Sequence, residues 1–185
     1  RVPLTRDEKG GYSWGSNSDV INNLLIMALA HDFTKDAKYL RAIVIGMDYL
    51  FGRNPLDRSY VTGYGFRPTQ YPHHRFWSEQ YNGHYPPPPP GVLAGGPNSG
   101  LQDPMTKLAG LPGCPPQKCY IDHIEAWSLN EVAINWNSPL AWVTAWVDEK
   151  MKGGGKAAPT SSSVSVPPNP APPAPSTTTK LRGTM

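Results

Sequence analysis

Cysteine is scarce: the 185 residues hold two, Cys114 and Cys119, with only Pro-Pro-Gln-Lys between them. A zinc site needs further thiolates or histidines at suitable spacings, and no second cysteine pair exists to supply them. An even pair in a Pro-rich loop suits a small disulfide loop better than two free thiols, and a disulfide would place the protein outside the cytosol. Charge is scarce as well. Charged residues make up 17% of the chain and the net charge is +3, with no run of Lys and Arg. That excludes the basic footprint of a nucleic-acid binder. No apolar stretch is long enough to cross a bilayer, so no membrane-spanning helix is expected. The chain opens at Arg1 without a methionine or the charged start and apolar middle of a signal peptide, and is expected to be a piece of a longer protein.

Glycine and proline are plentiful instead: 18 and 22, together 40 of 185 positions. A globular composition supplies about half as many. From Met151 onward the chain is Gly-Gly-Gly followed by Pro, Ser, Thr, Ala and Val, with no aromatic and no acidic residue. Such a composition cannot bury enough surface to offset ordering entropy, so residues 151–185 are expected to be a disordered linker, partly polyproline-like and open to O-glycosylation. Linkers join things, and a further module beyond Met185 is expected. Residues 1–150 keep all six Trp and all five His and are long enough for one modest core.

Two helices are predicted early. Over Ser16 to Asp32, Val20, Ile21, Leu24, Leu25, Met27 and Ala28 recur at helical spacing, after a Ser-Asn-Ser cluster able to cap the start. In the second, Thr34 is the expected cap, Leu40, Ile43, Val44, Met47, Leu50 and Phe51 form the apolar face, and Gly52 with Pro55 ends it. A short connection makes the two an antiparallel hairpin. A last helix, capped by Ser128 or Asn130, is expected to run to about Glu149 with Val132, Trp136, Leu140, Val143 and Trp146 on one side. Between them, Asn54 to Cys119 shows no sustained period and is rich in Gly, Pro, Tyr, His and Asn. Ordered stretches of that length usually carry function.

Two segments hold the candidate chemistry. Ser59 to Arg75 (SYVTGYGFRPTQYPHHR) joins flexible glycines and aromatic rings to His73, His74 and Arg75. Sugars need that mixture, because pyranose faces present CH groups to aromatic rings while their hydroxyls need fixed donors and acceptors. Adjacent histidines also suit a metal, but consecutive side chains of an extended loop point apart and rarely ligate one ion. Tyr120 to Ser138 (YIDHIEAWSLNEVAINWNS) places Glu131 in the expected first turn of the last helix. From composition alone a capping-box acid, paired with Ser128 three residues earlier, accounts for it.

These segments resemble the two signature regions of glycoside hydrolase family 9, the inverting cellulases. The first follows the pattern through Ser59, Val61, Thr62, Gly65, Arg67, Pro72, His73 and Arg75, the second through Tyr120, Asp122, Trp127, Glu131, Ala133, Asn137 and Ser138. With Trp14-Gly-Ser-Asn17, Asp48 to Asn54 and Gly91 to Asn98, the similarity covers about residues 10–148, and the Cys114 to Cys119 loop looks most like the actinobacterial-type secreted endoglucanases. The resemblance implies an all-α fold, the C-terminal part of an (α/α)6 barrel with long ordered loops.

The resemblance also implies roles. Glu131 would be the general acid and His73 and Arg75 would hydrogen-bond the sugar beside the scissile bond. Trp14 would stack beneath a glucose ring, and Trp127 and Trp136 would help keep the acid poorly solvated. Asp122 is assigned to positioning, with a structural Asp bonding a loop backbone as the equal alternative. An inverting enzyme also needs a carboxylate base. In the family it belongs to an Asp-Ala-Gly-Asp motif, which this chain lacks, and the family's calcium ligands would likewise lie upstream, leaving no cofactor in this chain. The expected whole is a secreted endo-β-1,4-glucanase acting on cellulose or another β-1,4-glucan, with this piece inactive alone. A non-catalytic carbohydrate-binding fragment using Trp14, His73 and Arg75 is the alternative. A helical interaction module ranks last, because it leaves the long Tyr, His and Gly loop unexplained.

Overall fold

A computed structural model describes residues 10–153; the expected linker lies outside the described residues apart from its first three positions. The fold is all-α, as expected, with two isolated bridges and no sheet among the described residues. In chain order the helices are α1 (Ser16–Thr34), α2 (Ala37–Leu50), α3 (Pro104–Leu108), α4 (Trp127–Asn130) and α5 (Ile134–Gly153). A 3₁₀ turn spans Pro116–Lys118.

α1 packs against both α2 and α5. Its Val20, Ile21, Leu24 and Ala28 are fully buried against Ile43 and Leu50 of α2 and Val143 of α5 in one cluster, following the predicted faces. The far end of the α1–α5 contact is polar. Trp146 Nε1 donates to Asp32 over 2.8 Å and Lys150 Nζ lies 2.8 Å from the same carboxylate. The Lys150 ammonium first, then the indole N–H, hold the Asp32 carboxyl down at about 2. The α1 and α2 flanks away from this cluster expose Ile26, Leu29, Phe33 and Ile45. Apolar positions of that kind suit a ring of helices closing around them.

The caps differ from expectation. No side chain caps α1: Gly15 precedes it in the left-handed region at φ 78°. The Ser16 hydroxyl donates to the Pro97 carbonyl over 2.6 Å, and Asn17 bonds Ala94 and Gly95. Those side chains are drawn to a chain segment distant in sequence, which a local cap rule does not see. Asp36, not Thr34, caps α2 by accepting the Lys38 N–H over 2.9 Å, because α1 runs on through Thr34. α5 begins after the expected start and extends to Gly153, so helix crosses the predicted boundary at residue 150.

The long loop region supplies core of its own. Tyr60, Val61 and Leu93 are buried, with Val61 and Leu93 paired in an antiparallel bridge. The loop folds back on the end of α2, where Tyr60 N–H donates to Leu50 and Phe66 N–H donates to Phe51. Gly65 sits at φ +81°, and a Cβ there would overlap the Phe51 carbonyl oxygen that accepts the Phe66 N–H. Left-handed strain at a non-glycine residue costs about 1 to 3 kcal/mol before any clash is added. Gly65→Ala in the full-length protein is therefore expected to lower Tm by about 4 °C or more. An unchanged melting curve would show that this turn relaxes freely.

Candidate active site

The two chemistry-bearing segments meet. His73 N–H donates to the Asn130 carbonyl over 2.8 Å, and His73 pairs with Glu131 in a parallel bridge. On the other side the Glu131 carbonyl accepts the Gly95 N–H over 3.0 Å, and the Leu129 carbonyl accepts Gly96 N–H over 2.8 Å. Glu131 is thus held in extended backbone between the His73 segment and the Ala94–Gly96 segment, at φ −54° and ψ 148°. This corrects its expected place in the first turn of a helix. α4 stops at Asn130 and α5 starts at Ile134, so Glu131 occupies the break between them. Ser128 neither caps α5 nor pairs with Glu131. Its hydroxyl is bonded to the buried carboxylate of Asp103, which also accepts the Ser128 N–H and, through its other oxygen, the Thr106 N–H at the start of α3.

Asn130 locks the corner. Its side-chain nitrogen donates to the carbonyls of Ile121 and His123 at 2.6 and 3.0 Å, and its side-chain oxygen accepts the Tyr120 hydroxyl over 2.5 Å. Tyr120 is buried, and burial pushes its phenol well above the ordinary range, so it stays a neutral donor. Asn17 plays the matching part beneath Gly95. In both, the buried side-chain nitrogen donates to backbone carbonyls, a pattern no spacing in the sequence announces, although Asn17 belongs to the quoted Trp14-Gly-Ser-Asn17 phrase.

Asp122 lies under the approach to His73. Its carboxylate accepts from Arg58 Nη1 (2.7 Å), the Thr69 hydroxyl (2.6 Å) and the N–H groups of Gln70 (2.8 Å) and Tyr71 (2.9 Å). All four partners are protein groups, and three belong to the stretch just before Pro72 and His73.

The histidine tautomers follow from their partners. His73 Nδ1 lies 2.6 Å from the Ile124 carbonyl oxygen. A carbonyl only accepts, so Nδ1 carries a proton and the neutral ring offers Nε2 as an acceptor. His74 Nδ1 accepts the Phe76 N–H over 3.3 Å, leaving Nε2 to carry its proton, and the ring stacks on Trp77 with centroids 3.9 Å apart. The two neighbours are turned to different partners. Arg75 is exposed beside them.

The tryptophans divide. Trp14 and Trp127 form a tilted pair, centroids 5.2 Å apart, with Trp14 38% exposed. Trp136 is packed into the floor: its ring closes on the backbone of Gly15, where a Cβ would come within 2.7 Å of it, and of Gly95. Cys114 and Cys119 are joined by a disulfide around the 3₁₀ turn. Among the described residues no group of three or more His, Cys, Asp or Glu is arranged to hold a metal ion.

A model of the family described as glycosyl hydrolase family 9 matches residues 4–144. The chain is 56% identical over 151 residues to a cellulose 1,4-beta-cellobiosidase of Acetivibrio thermocellus, covering 80% of this chain and 17% of that protein. It is 50% identical over 143 residues to Endoglucanase C of Cellulomonas fimi, covering 76% of this chain and 13% of that protein. Among solved structures, a thermostable endoglucanase from Alicyclobacillus acidocaldarius superposes with a TM-score of 0.64 at 39% identity, over 74% of this chain and 25% of that one. The chain therefore spans a small part of the length of each relative.

Proposed function

Since the chain belongs to glycosyl hydrolase family 9, we propose that it supplies the acid-bearing wall of a secreted cellulase cleft that hydrolyses internal β-1,4-glucosidic bonds with inversion. The observation that carries this reading is the parallel pairing of His73 with Glu131. Residues paired across a ladder put their side chains on one face. A carboxyl and an imidazole drawn from segments 58 residues apart in sequence are thereby set side by side, with Arg75 two residues on.

Glu131 gives its proton to the glycosidic oxygen as the C1–O bond breaks, and the departing sugar leaves as a neutral alcohol. A carboxylate base elsewhere in the protein takes a proton from water, whose oxygen forms the new bond to C1 from the opposite face. The base is left holding the proton taken from water and Glu131 is left ionised, so exchange through solvent returns a proton to Glu131 and frees the base before the next turnover. His73 Nε2 accepts a sugar hydroxyl proton and Arg75 donates, so the pair reads both sides of a hydroxyl's hydrogen-bonding capacity. Trp14 and Trp127 offer the apolar platform for a ring face, while Trp136 keeps the floor rigid beneath Glu131 and Gly95. Asp122 acts on the reaction only through the segment it holds. The disulfide supports an extracellular setting. Relatives named cellobiosidase and endoglucanase both match this stretch, so the match does not choose between those names.

The test is stereochemical. Full-length protein acting on cellohexaose inside an NMR tube should first release the α-anomer, with the β-anomer growing in only by mutarotation. Residues 1–185 alone should release none. Initial β-anomer would overturn inversion, and binding of cellohexaose without cleavage would favour the non-catalytic reading.

A further inference from the structure

Asp103 is fully buried, and among the described residues no Lys, Arg or His forms an ion pair with it. Three hydrogen-bond donors hold it instead. One carboxylate oxygen accepts the Thr106 N–H over 2.8 Å, and the other accepts both the Ser128 N–H over 3.1 Å and the Ser128 hydroxyl. A buried charge without a counter-ion is costly, and asparagine caps a helix about as well as aspartate does. What the carboxylate adds is acceptance on both oxygens. With an asparagine at this position, either orientation of the amide would set its NH₂ group against a backbone N–H, that of Thr106 or that of Ser128.

The α4 segment depends on that anchor. It is a single turn, Ala126 before it supplies no side-chain cap, and one turn does not hold its shape by its own hydrogen bonds. Ser128 is gripped through its carbonyl as well, which accepts from Asn98 Nδ2 over 3.0 Å, and the same Nδ2 donates to Gln102, the neighbour of Asp103. The turn carries two working residues. Trp127 stands just before Ser128 and pairs with Trp14, while the Glu131 N–H donates to the Trp127 carbonyl over 3.1 Å where the turn ends.

We propose that Asp103, acting through Ser128, is a positioning residue for the acid: it fixes the α4 turn and with it the direction in which Glu131 meets the glycosidic oxygen. The proposal rests on the glycosidase reading above. The bonds from His73 and Gly95 hold residues 130 and 131 from the C-terminal side of the turn, and the Asp103–Ser128 contact holds it from the N-terminal side. With only one side held, the acid loses its fixed place. A misplacement of about 1 Å is enough to cost a reaction about 10²-fold.

Leaving-group dependence separates positioning of the acid from a general weakening of the fold. In the full-length protein, Asp103→Asn should lower kcat on cellotetraose by about 10²-fold, and Ser128→Ala, which leaves the carboxylate both N–H donors, by about tenfold. Both variants should cleave 2,4-dinitrophenyl β-cellobioside within about threefold of the unsubstituted rate, because that leaving group needs no proton. Equal losses on the two substrates, or no loss on cellotetraose, would overturn the proposal while leaving Glu131 as the acid untouched. If Asp103→Asn does not fold, the same comparison on Ser128→Ala decides. Cleavage of neither substrate by the unsubstituted protein would remove the glycosidase reading and the proposal with it.

Discussion

Glu131→Gln in the full-length protein is expected to lower kcat on cellodextrins by about 10³-fold, within the range that a positioned general acid contributes. The loss should fall on the chemical step. Gln has nearly the same shape, and the bonds that hold position 131 are made by backbone: its carbonyl accepts Gly95 N–H and the preceding carbonyl accepts His73 N–H. Cellotetraose binding should therefore stay within about threefold and Tm should hardly move, since distant or backbone-made contacts are undisturbed. The substrate dependence is sharper still. A 2,4-dinitrophenyl β-cellobioside departs as a stable anion and needs no proton, so E131Q should cleave it at close to the unsubstituted rate. The basic limb of the pH profile, which reports the proton on the acid, should also disappear in the variant. An equal loss on both substrates would point to a damaged site and remove Glu131 from the acid's role.

How much of this was legible in the chain differs residue by residue. The faces of α1 and α2 followed from spacing, because Val20, Ile21, Leu24 and Ile43, Met47, Leu50 recur with the helical period and are buried. Glu131 was picked out by its pattern and misplaced in its local structure. The stretch Ser128 to Leu140 carries a helical apolar rhythm, but the carbonyls of Asn130 and Glu131 are taken by long-range bonds from His73 and Gly95, Glu131 is extended, and the helix breaks there. Propensity yields to tertiary pairing where both sides of a backbone find partners. The loop core was invisible for a related reason. Tyr60, Val61 and Leu93 are buried by contacts with distant residues, and a single bridge has no period to detect. Asp103 is the plainest omission: a buried carboxylate that ties α3 to α4, standing in the sequence as one acid among Gly, Gln and Pro.

Asp122→Asn should cost the protein both stability and activity, and the manner of loss separates its possible roles. The Asp122 side chain is 7% exposed and its Arg58 partner 25%. The carboxylate accepts four bonds, two from backbone N–H groups, one from a hydroxyl and one from guanidinium. An amide supplies one oxygen in place of two and turns an NH₂ group toward donors, leaving at least one backbone N–H or the guanidinium unpaired. Breaking a buried pair costs about 3 to 5 kcal/mol, and the partly exposed Arg58 argues for the lower end, about 3 kcal/mol. The damage travels to His73 by a short route. Gln70 and Tyr71 lose their anchor directly, and the Thr69 hydroxyl, 2.9 Å from the Tyr120 hydroxyl, is freed from a cluster in which Tyr120 holds Asn130 and Asn130 holds His73. A misplacement of about 1 Å at a sugar-binding residue is enough to lower kcat/KM by about 10²-fold. Tm and kcat/KM of D122N should therefore fall together, and D122N combined with Thr69→Val should cost much less than the two single effects added, because both act on one network. The acidic limb of the pH profile should survive, since the base that shapes it is another group. A variant with normal Tm, lost kcat and no acidic limb would make Asp122 the water-activating carboxylate itself.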